Sequence, residues 1–230
     1  MNILSVIPAR SGSKSLKDKN IKILNGKPLI YYSINYSLKS TLVTDTVVST
    51  DSKKYSDIAT SLGAECPFLR PKSISGDLIQ DFDVISHSLR EMENLKGYVY
   101  DFIILLRPTS PLRPNGLIEK GIDLLINDLE ATSVRAMCKC SQHPYRNWKL
   151  EKDGSVRSFF SLHEPFNLPR QLLPDSFFQT GDIEIIRRST ILEGSVSGGK
   201  VLPILIDSDS FVDIDNLNDF EKALKILNDK

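Results

Sequence analysis

The sequence predicts an α/β protein: a doubly wound, mostly parallel sheet carrying a small inserted segment. Three observations predict it. β-branched runs alternate with segments of helical period along most of the chain. The most apolar run, Phe102-Ile-Ile-Leu-Leu106, shows no polar alternation and suits a sheet centre covered on both faces. The alternation lapses once, between about 142 and 179, where aromatics, prolines and a Lys152-Asp153-Gly154-Ser155 turn suggest an antiparallel hairpin and irregular loops. At 230 residues the chain suffices for a single domain, 1–230, with the lapse expected to be a lid, a dimerisation segment or both.

Residues 3–7 form a short β-branched run ending at Pro8. Leu29, Ile30, Ile34 and Leu38 recur at helical spacing and predict a helix over 27–39. Residues 46–50 predict a buried strand, and 53–62 a helix closed by Gly63, a usual stop just past a helix end. A strand-like stretch at 65–69 leads to a longer helix over 79–95, followed by Gly97. After the apolar strand 102–106, residues 117–127 are helical and 131–138 return to strand. Beyond the lapse come strands at 183–186 and 201–206 and a closing helix at 218–227. Such sheets bind ligands beyond the carboxyl ends of their strands, so chemistry is expected directly after Ile7, Thr50 and Leu106.

Composition narrows the function. Lys and Arg number 29 and Asp and Glu 29, and a net charge of zero discourages a nucleic-acid partner. No apolar run is long enough to span a bilayer and no signal-peptide pattern opens the chain, so a cytoplasmic protein without a membrane partner is expected. Cys66, Cys138 and Cys140 are too few for a disulfide framework, and Cys138-Lys-Cys140 with His143 lacks zinc-site spacing. None of His87, His143 and His163 forms a constellation with a nucleophile.

Four segments could carry chemistry. The loop after the first strand holds Arg10, Lys14, Lys17, Lys19 and Lys22 against Asp18 around Gly12 and three serines, which suits phosphate oxygens. It is neither a Walker A loop nor G-x-G-x-x-G, which disfavours a dinucleotide-dependent oxidoreductase. The exit of the apolar strand, Leu105-Leu-Arg-Pro-Thr-Ser-Pro-Leu-Arg113, offers two guanidinium groups and the hydroxyls of Thr109 and Ser110 on a proline-stiffened turn. In Phe211-Val-Asp-Ile-Asp-Asn216, strand alternation puts Asp213 and Asp215 on one side, an oxygen pair suited to Mg²⁺. Arg146, Arg157 and Arg170, with Gln171, Gln179 and Thr180, could read the carboxylate and hydroxyls of a sugar acid.

Taken in order, Ile7-Pro-Ala-Arg-Ser-Gly-Ser-Lys14, Lys19-Asn20, Val48-Ser-Thr-Asp51, Leu69-Arg-Pro71, the Pro-Thr-Ser-Pro-Leu-Arg113 run, Pro169-Arg-Gln171 and Val212-Asp-Ile-Asp215 resemble the acylneuraminate cytidylyltransferases, also called CMP-sialic acid synthetases. The CMP-Kdo synthetases are more distant relatives. The resemblance implies a Rossmann-like fold of the nucleotide-diphospho-sugar transferase type. It also implies a homodimer whose inserted segment reaches the partner's active site. The implied reaction joins CTP to a 2-keto-3-deoxy sugar acid, the anomeric hydroxyl attacking the α-phosphorus with Mg²⁺ as cofactor and pyrophosphate leaving.

On this basis Arg10, Ser11, Gly12, Ser13, Lys14, Lys19, Asn20, Arg70 and Asp77 are expected to bind the nucleotide. Asp213 and Asp215 are expected to hold the metal and, with Arg10 and Lys19, to carry catalysis. The sugar is expected at Arg107, Thr109, Ser110, Arg146, Arg170, Gln171, Gln179 and Thr180. Three departures from the family pattern fall in the sugar half: Arg146 for lysine, Arg107 for glutamine, and Glu184 near an expected aromatic. They imply a nonulosonic acid with other substituents, such as legionaminic or pseudaminic acid, as readily as sialic acid. The rival readings are a nucleotidyltransferase for a different sugar or base, such as a CMP-Kdo synthetase-like enzyme, and a non-catalytic nucleotide-binding protein on the same fold. Residues 10–22 carry five positive charges and one negative, and residues 207–221 six negative and none positive, so the zero net charge hides two segregated populations.

Overall fold

A computed structural model describes residues 1–208 and 211–229. Asp209, one of the acidic residues of the 207–221 run, lies outside the described residues. The chain enters through β1 (Ile3–Pro8), makes a two-residue hairpin of β2 (Ile23–Leu24) and β3 (Lys27–Pro28), and continues as α1 (Ile30–Lys39). The helix expected from 27 therefore starts three residues later, because Lys27 and Pro28 pair with Leu24 and Ile23. Next come β4 (Asp45–Ser49), α2 (Lys53–Ser61), α3 (Asp81–Lys96), β5 (Phe102–Leu105), α4 (Leu117–Asn127) and β6 (Ser133–Lys139). The expected strand at 65–69 reduces to one bridge between Glu65 and Val47, since Pro67 has no N–H to extend the ladder.

The inserted segment contains the hairpin β7 (Trp148–Leu150) and β8 (Val156–Ser158). It ends earlier than expected, for β9 (Phe177–Arg187) is already paired with β6 at Phe177. Gly181 lies within β9 at φ 76°. The ladder with β6 shifts register between Arg135 and Met137, so the strand continues across a bulge. The chain closes with α5 (Arg188–Leu192), β10 (Val201–Leu205) and α6 (Leu217–Asn228).

The six-stranded sheet has the order β10-β6-β9-β5-β1-β4. β1 runs parallel to β4 and β5, and β10 parallel to β6, while β9 is antiparallel to both neighbours. Strand alternation fills two cores. Ile3, Ile7 and Ile104 face α1, α2 and α4, whereas Leu4, Val6, Ile103 and Leu105 face α3 and α5. A third, smaller core of Leu24, Leu29, Leu112, Val212, Ile214 and Phe220 ties the segment before α6 to the β2–β3 hairpin. Among the described residues no helix is long and apolar enough to cross a membrane.

Candidate active site

β1, β4 and β5 deliver their carboxyl ends side by side, and a cavity of about 420 Å³ opens there. Arg10, Ser13, Lys14, Lys19, Asn20, Arg70, Asp77, Arg107, Thr109 and Asp215 line it. Ser11 and Gly12 form the turn beside it. That turn is pinned by a residue not assigned to the site from sequence: Asp51, just past β4, accepts from the Ser11 N–H (2.7 Å) and the Ser11 hydroxyl (2.8 Å). Burial pushes the Asp51 carboxyl up, but the Ser11 bonds and the nearby Arg70 charge outweigh it and hold it below its ordinary value. Asn20 Nδ2 donates to the Arg10 carbonyl at 3.0 Å, and the Tyr55 hydroxyl to Asp18 at 3.0 Å, fixing the other limb of the loop.

Arg70 is buried and donates from Nε to Ser49 Oγ (3.1 Å) and from Nη2 to the Ser49 carbonyl (2.5 Å). Burial lowers its pKa to about 10, so it stays cationic at neutral pH. Arg10 and Lys14 both pair with Asp77, at 2.7 and 2.5 Å.

The acidic pair sits opposite. Val212 and Ile214 are buried in the third core, which turns Asp213 and Asp215 the other way, as strand alternation requires. Lys19 Nζ donates to the Ile214 carbonyl at 2.7 Å and reaches Asp215 at 3.2 Å, so the basic loop and the acidic run meet at one sheet edge. The Ile214 N–H donates to the Thr109 carbonyl at 2.9 Å, tying the acidic segment to the β5 exit. Burial, with the Asp215 charge beside it, raises the Asp213 carboxyl above its ordinary value. Asp213 Oδ1 is buried with no hydrogen-bond partner among the described residues.

The sugar half departs further from expectation. Arg107 is not a free cation: Asp81 reaches it at 2.5 Å and Glu184 at 2.6 Å. Glu184 is buried, also pairs with Arg135 at 3.0 Å, and accepts from Gln179 Nε2 at 3.0 Å. Burial alone would lower the Arg107 pKa, and the two carboxylates more than reverse it. Nothing in the sequence spacing marks Asp81 or Glu184 as partners of Arg107, or Arg135 as a second partner of Glu184, because the contacts run between α3, the β5 exit, β6 and β9.

Arg113 is buried and structural. It donates to the Asp182 and Arg107 carbonyls and lies over the Tyr36 ring, its pKa lowered by burial to about 10. Ser110 and Thr180 are buried and do not line the cavity. Arg146 and Arg170 line a separate cavity of about 350 Å³ with Lys139 and His143, and Gln171 is exposed beside them.

The strand-end cavity, its cation-rich loop and the facing carboxylates lie on a Rossmann-like sheet where such folds take their ligands. A family model described as cytidylyltransferase matches residues 4–135, which span β1 to β6, and the chain belongs to that family. An N-acylneuraminate cytidylyltransferase of Escherichia coli is 34% identical over 99% of this chain and 52% of its own length. A CMP-N,N'-diacetyllegionaminic acid synthase of Legionella pneumophila is 35% identical over 68% of this chain and 66% of its own length. The chain thus spans about half to two thirds of these curated relatives. Among solved structures, a CMP:2-keto-3-deoxy-manno-octonic acid synthetase complexed with CTP matches with a TM-score of 0.74 at 16% identity, covering 100% of this chain and 99% of that one. At that identity the match shows the fold.

Proposed function

We propose that this protein is a cytidylyltransferase that activates a nonulosonic acid with CTP, releasing pyrophosphate. The observation that carries the proposal is Lys19 bridging the Ile214 carbonyl and Asp215, which puts the basic loop and Asp215 of the acidic pair on one cavity. In-line displacement at a phosphorus needs positioning and charge neutralisation more than covalent chemistry. Arg10, Lys14 and Lys19 steady the triphosphate and the departing pyrophosphate. Arg70 and the Asp51-pinned turn fix the nucleotide's place along the sheet edge.

Asp213 and Asp215 fit a Mg²⁺ ion: both are hard oxygen donors, and the unpartnered Asp213 Oδ1 supplies a buried lone pair. Among the described residues no group of three or more His, Cys, Asp or Glu forms a metal site, and Asp213 and Asp215 would be the protein's ligands to such an ion. Such an ion supplies charge neutralisation at the α-phosphate. The similarity to sialic and legionaminic acid relatives favours a nonulosonic acid as co-substrate. The clamped Arg107 offers its remaining N–H donors to the sugar rather than a free positive charge.

We also assign a homodimer in which the inserted segment brings Arg146 and Arg170 to the partner's cavity. Exposed Trp148, Leu150, Phe159, Leu162 and Leu172 on that segment suit burial in an interface. The unpaired cysteines fit the reducing cytoplasm, where CTP is made.

The test is pyrophosphate release from CTP, ATP, GTP and UTP against a panel of 2-keto-3-deoxy acids, with and without Mg²⁺. Release with CTP, a nonulosonic acid and Mg²⁺ together is expected. Asp215→Ala is expected to lower turnover by at least about 100-fold while CTP binding persists. Near-normal turnover in that variant would overturn the metal assignment. Turnover with Kdo alone would move the protein to the Kdo branch, and CTP binding without turnover on any acid would leave a binding protein.

A further inference from the structure

Between Arg70 and α3 the chain forms one wall of the main cavity, and residues 76–81 of this strap carry two carboxylates that neutralise cations on different loops. Asp77 lies between Arg10 (2.7 Å) and Lys14 (2.5 Å) of the β1 exit loop. Asp81, the first residue of α3, pairs with Arg107 of the β5 exit at 2.5 Å. The two ends of the strap are held differently. Asp81 stands at a helix N-terminus, where backbone N–H groups favour a carboxylate, and its partner Arg107 is gripped from behind by Glu184. Asp77 sits on an irregular stretch beside Gly76 and Leu78, the latter 94% exposed, and its ion pairs to Arg10 and Lys14 tie it to the cavity.

We propose that Asp77 sets the affinity of the site by competing with polyphosphate for Arg10 and Lys14, so that nucleotide or pyrophosphate binding frees the 76–80 end of the strap while the Asp81 end stays docked. The inference rests on the nucleotide reading of the cavity. The same two cations cannot be shared closely between a carboxylate and a polyphosphate, because the like charges would then face each other. The Lys14 and Arg10 charges hold the Asp77 carboxyl below its ordinary value, so the competitor is ionised throughout the neutral range. A group that opposes substrate and product equally leaves the barrier from the bound state unchanged; it raises KM and speeds pyrophosphate departure.

The experiment is calorimetric titration of wild type and Asp77→Asn with CTP and with inorganic pyrophosphate, each without added metal. The variant is expected to bind both about 3- to 10-fold more tightly, the scale of one or two exposed ion pairs removed. Equal or weaker binding by a variant that melts like wild type overturns the proposal, because Asp77 would then be a structural partner or a ligand contact. A measurement on the wild type alone guards against a variant that does not fold. Amide hydrogen exchange over 73–80 should quicken when pyrophosphate is added, and slowing there counts against the strap's release. Wild type that binds neither CTP nor pyrophosphate would defeat the nucleotide reading itself, whereas binding to both with no gain in the variant defeats only the role given to Asp77.

Discussion

Ser11 is the point at which the β1 exit loop is fastened, and Asp51 is what fastens it. The two Asp51 oxygens each take one Ser11 donor, at 2.7 and 2.8 Å, so the loop's backbone is set before any phosphate arrives. Asp51→Ala leaves a part-buried N–H without its acceptor, which costs about 1–3 kcal/mol. The expected result is a loss of that size in unfolding free energy by urea titration, together with a rise in the CTP dissociation constant of about tenfold, since 1.4 kcal/mol is a factor of ten. Lost stability with unchanged CTP affinity would confine Asp51 to the fold. The cations of this site were legible in the sequence because they directly follow a strand end, where such sheets bind ligands. The ion pairs that neutralise them were not, although Asp77 itself was expected at the nucleotide. Asp77, Asp81 and Glu184 meet Arg10, Lys14 and Arg107 only through tertiary packing, and Arg107, read as a free guanidinium, is clamped on two sides.

Helix α4 shows what periodicity discloses and what it omits. Its apolar spacing fixed the span 117–127, which is the span observed, and its buried face carries Ile118, Ile122 and Leu125. The same face carries Gly121, whose reason appears only against the sheet. A Cβ there would lie 2.5 Å from Ile185 Cδ1 and 3.2 Å from Ile204 Cδ1, both from buried side chains of β9 and β10. Gly121→Ala gains up to about 1 kcal/mol in helix propensity. Overpacking of the two isoleucines costs about 1–3 kcal/mol, so a net destabilisation near 1 kcal/mol is expected in chemical denaturation. A more stable variant would show that β9 and β10 yield at this point. Long-range pairing explains the errors at element scale too. The 65–69 stretch has strand composition but Pro67 within it, and the first residues of β9 fall in the segment expected to be irregular, their strand state set by pairing with β6.

At the scale of the molecule, the basic loop of 10–22 and the acidic segment 212–215 converge because the sheet order gathers strand exits and the third core carries that segment to them. The segregation was legible in the sequence; the meeting of the two segments depends on the fold. The inserted segment was legible only as a lapse in pattern, since its arrangement depends on what covers it. Arg146 and Arg170 lie in a cavity that shares no described residue with the main one, so within one chain they do not serve the same pocket as Lys19 and Asp215. The two-fold dimer proposed above would reconcile them, each site taking Asp213 and Asp215 from one protomer and Arg146 and Arg170 from the other. Complementation tests this directly. Arg170→Ala and Asp215→Ala homodimers should each be nearly inactive. After denaturation and refolding as an equal mixture, half of the dimers are mixed, and each mixed dimer has one site with both residues intact. Recovered activity of about a quarter of wild type is therefore expected, at the stoichiometry that a two-fold assembly requires. Refolded mixtures no more active than their components, in a preparation shown dimeric by light scattering, would place Arg170 in the same protomer's site or in none.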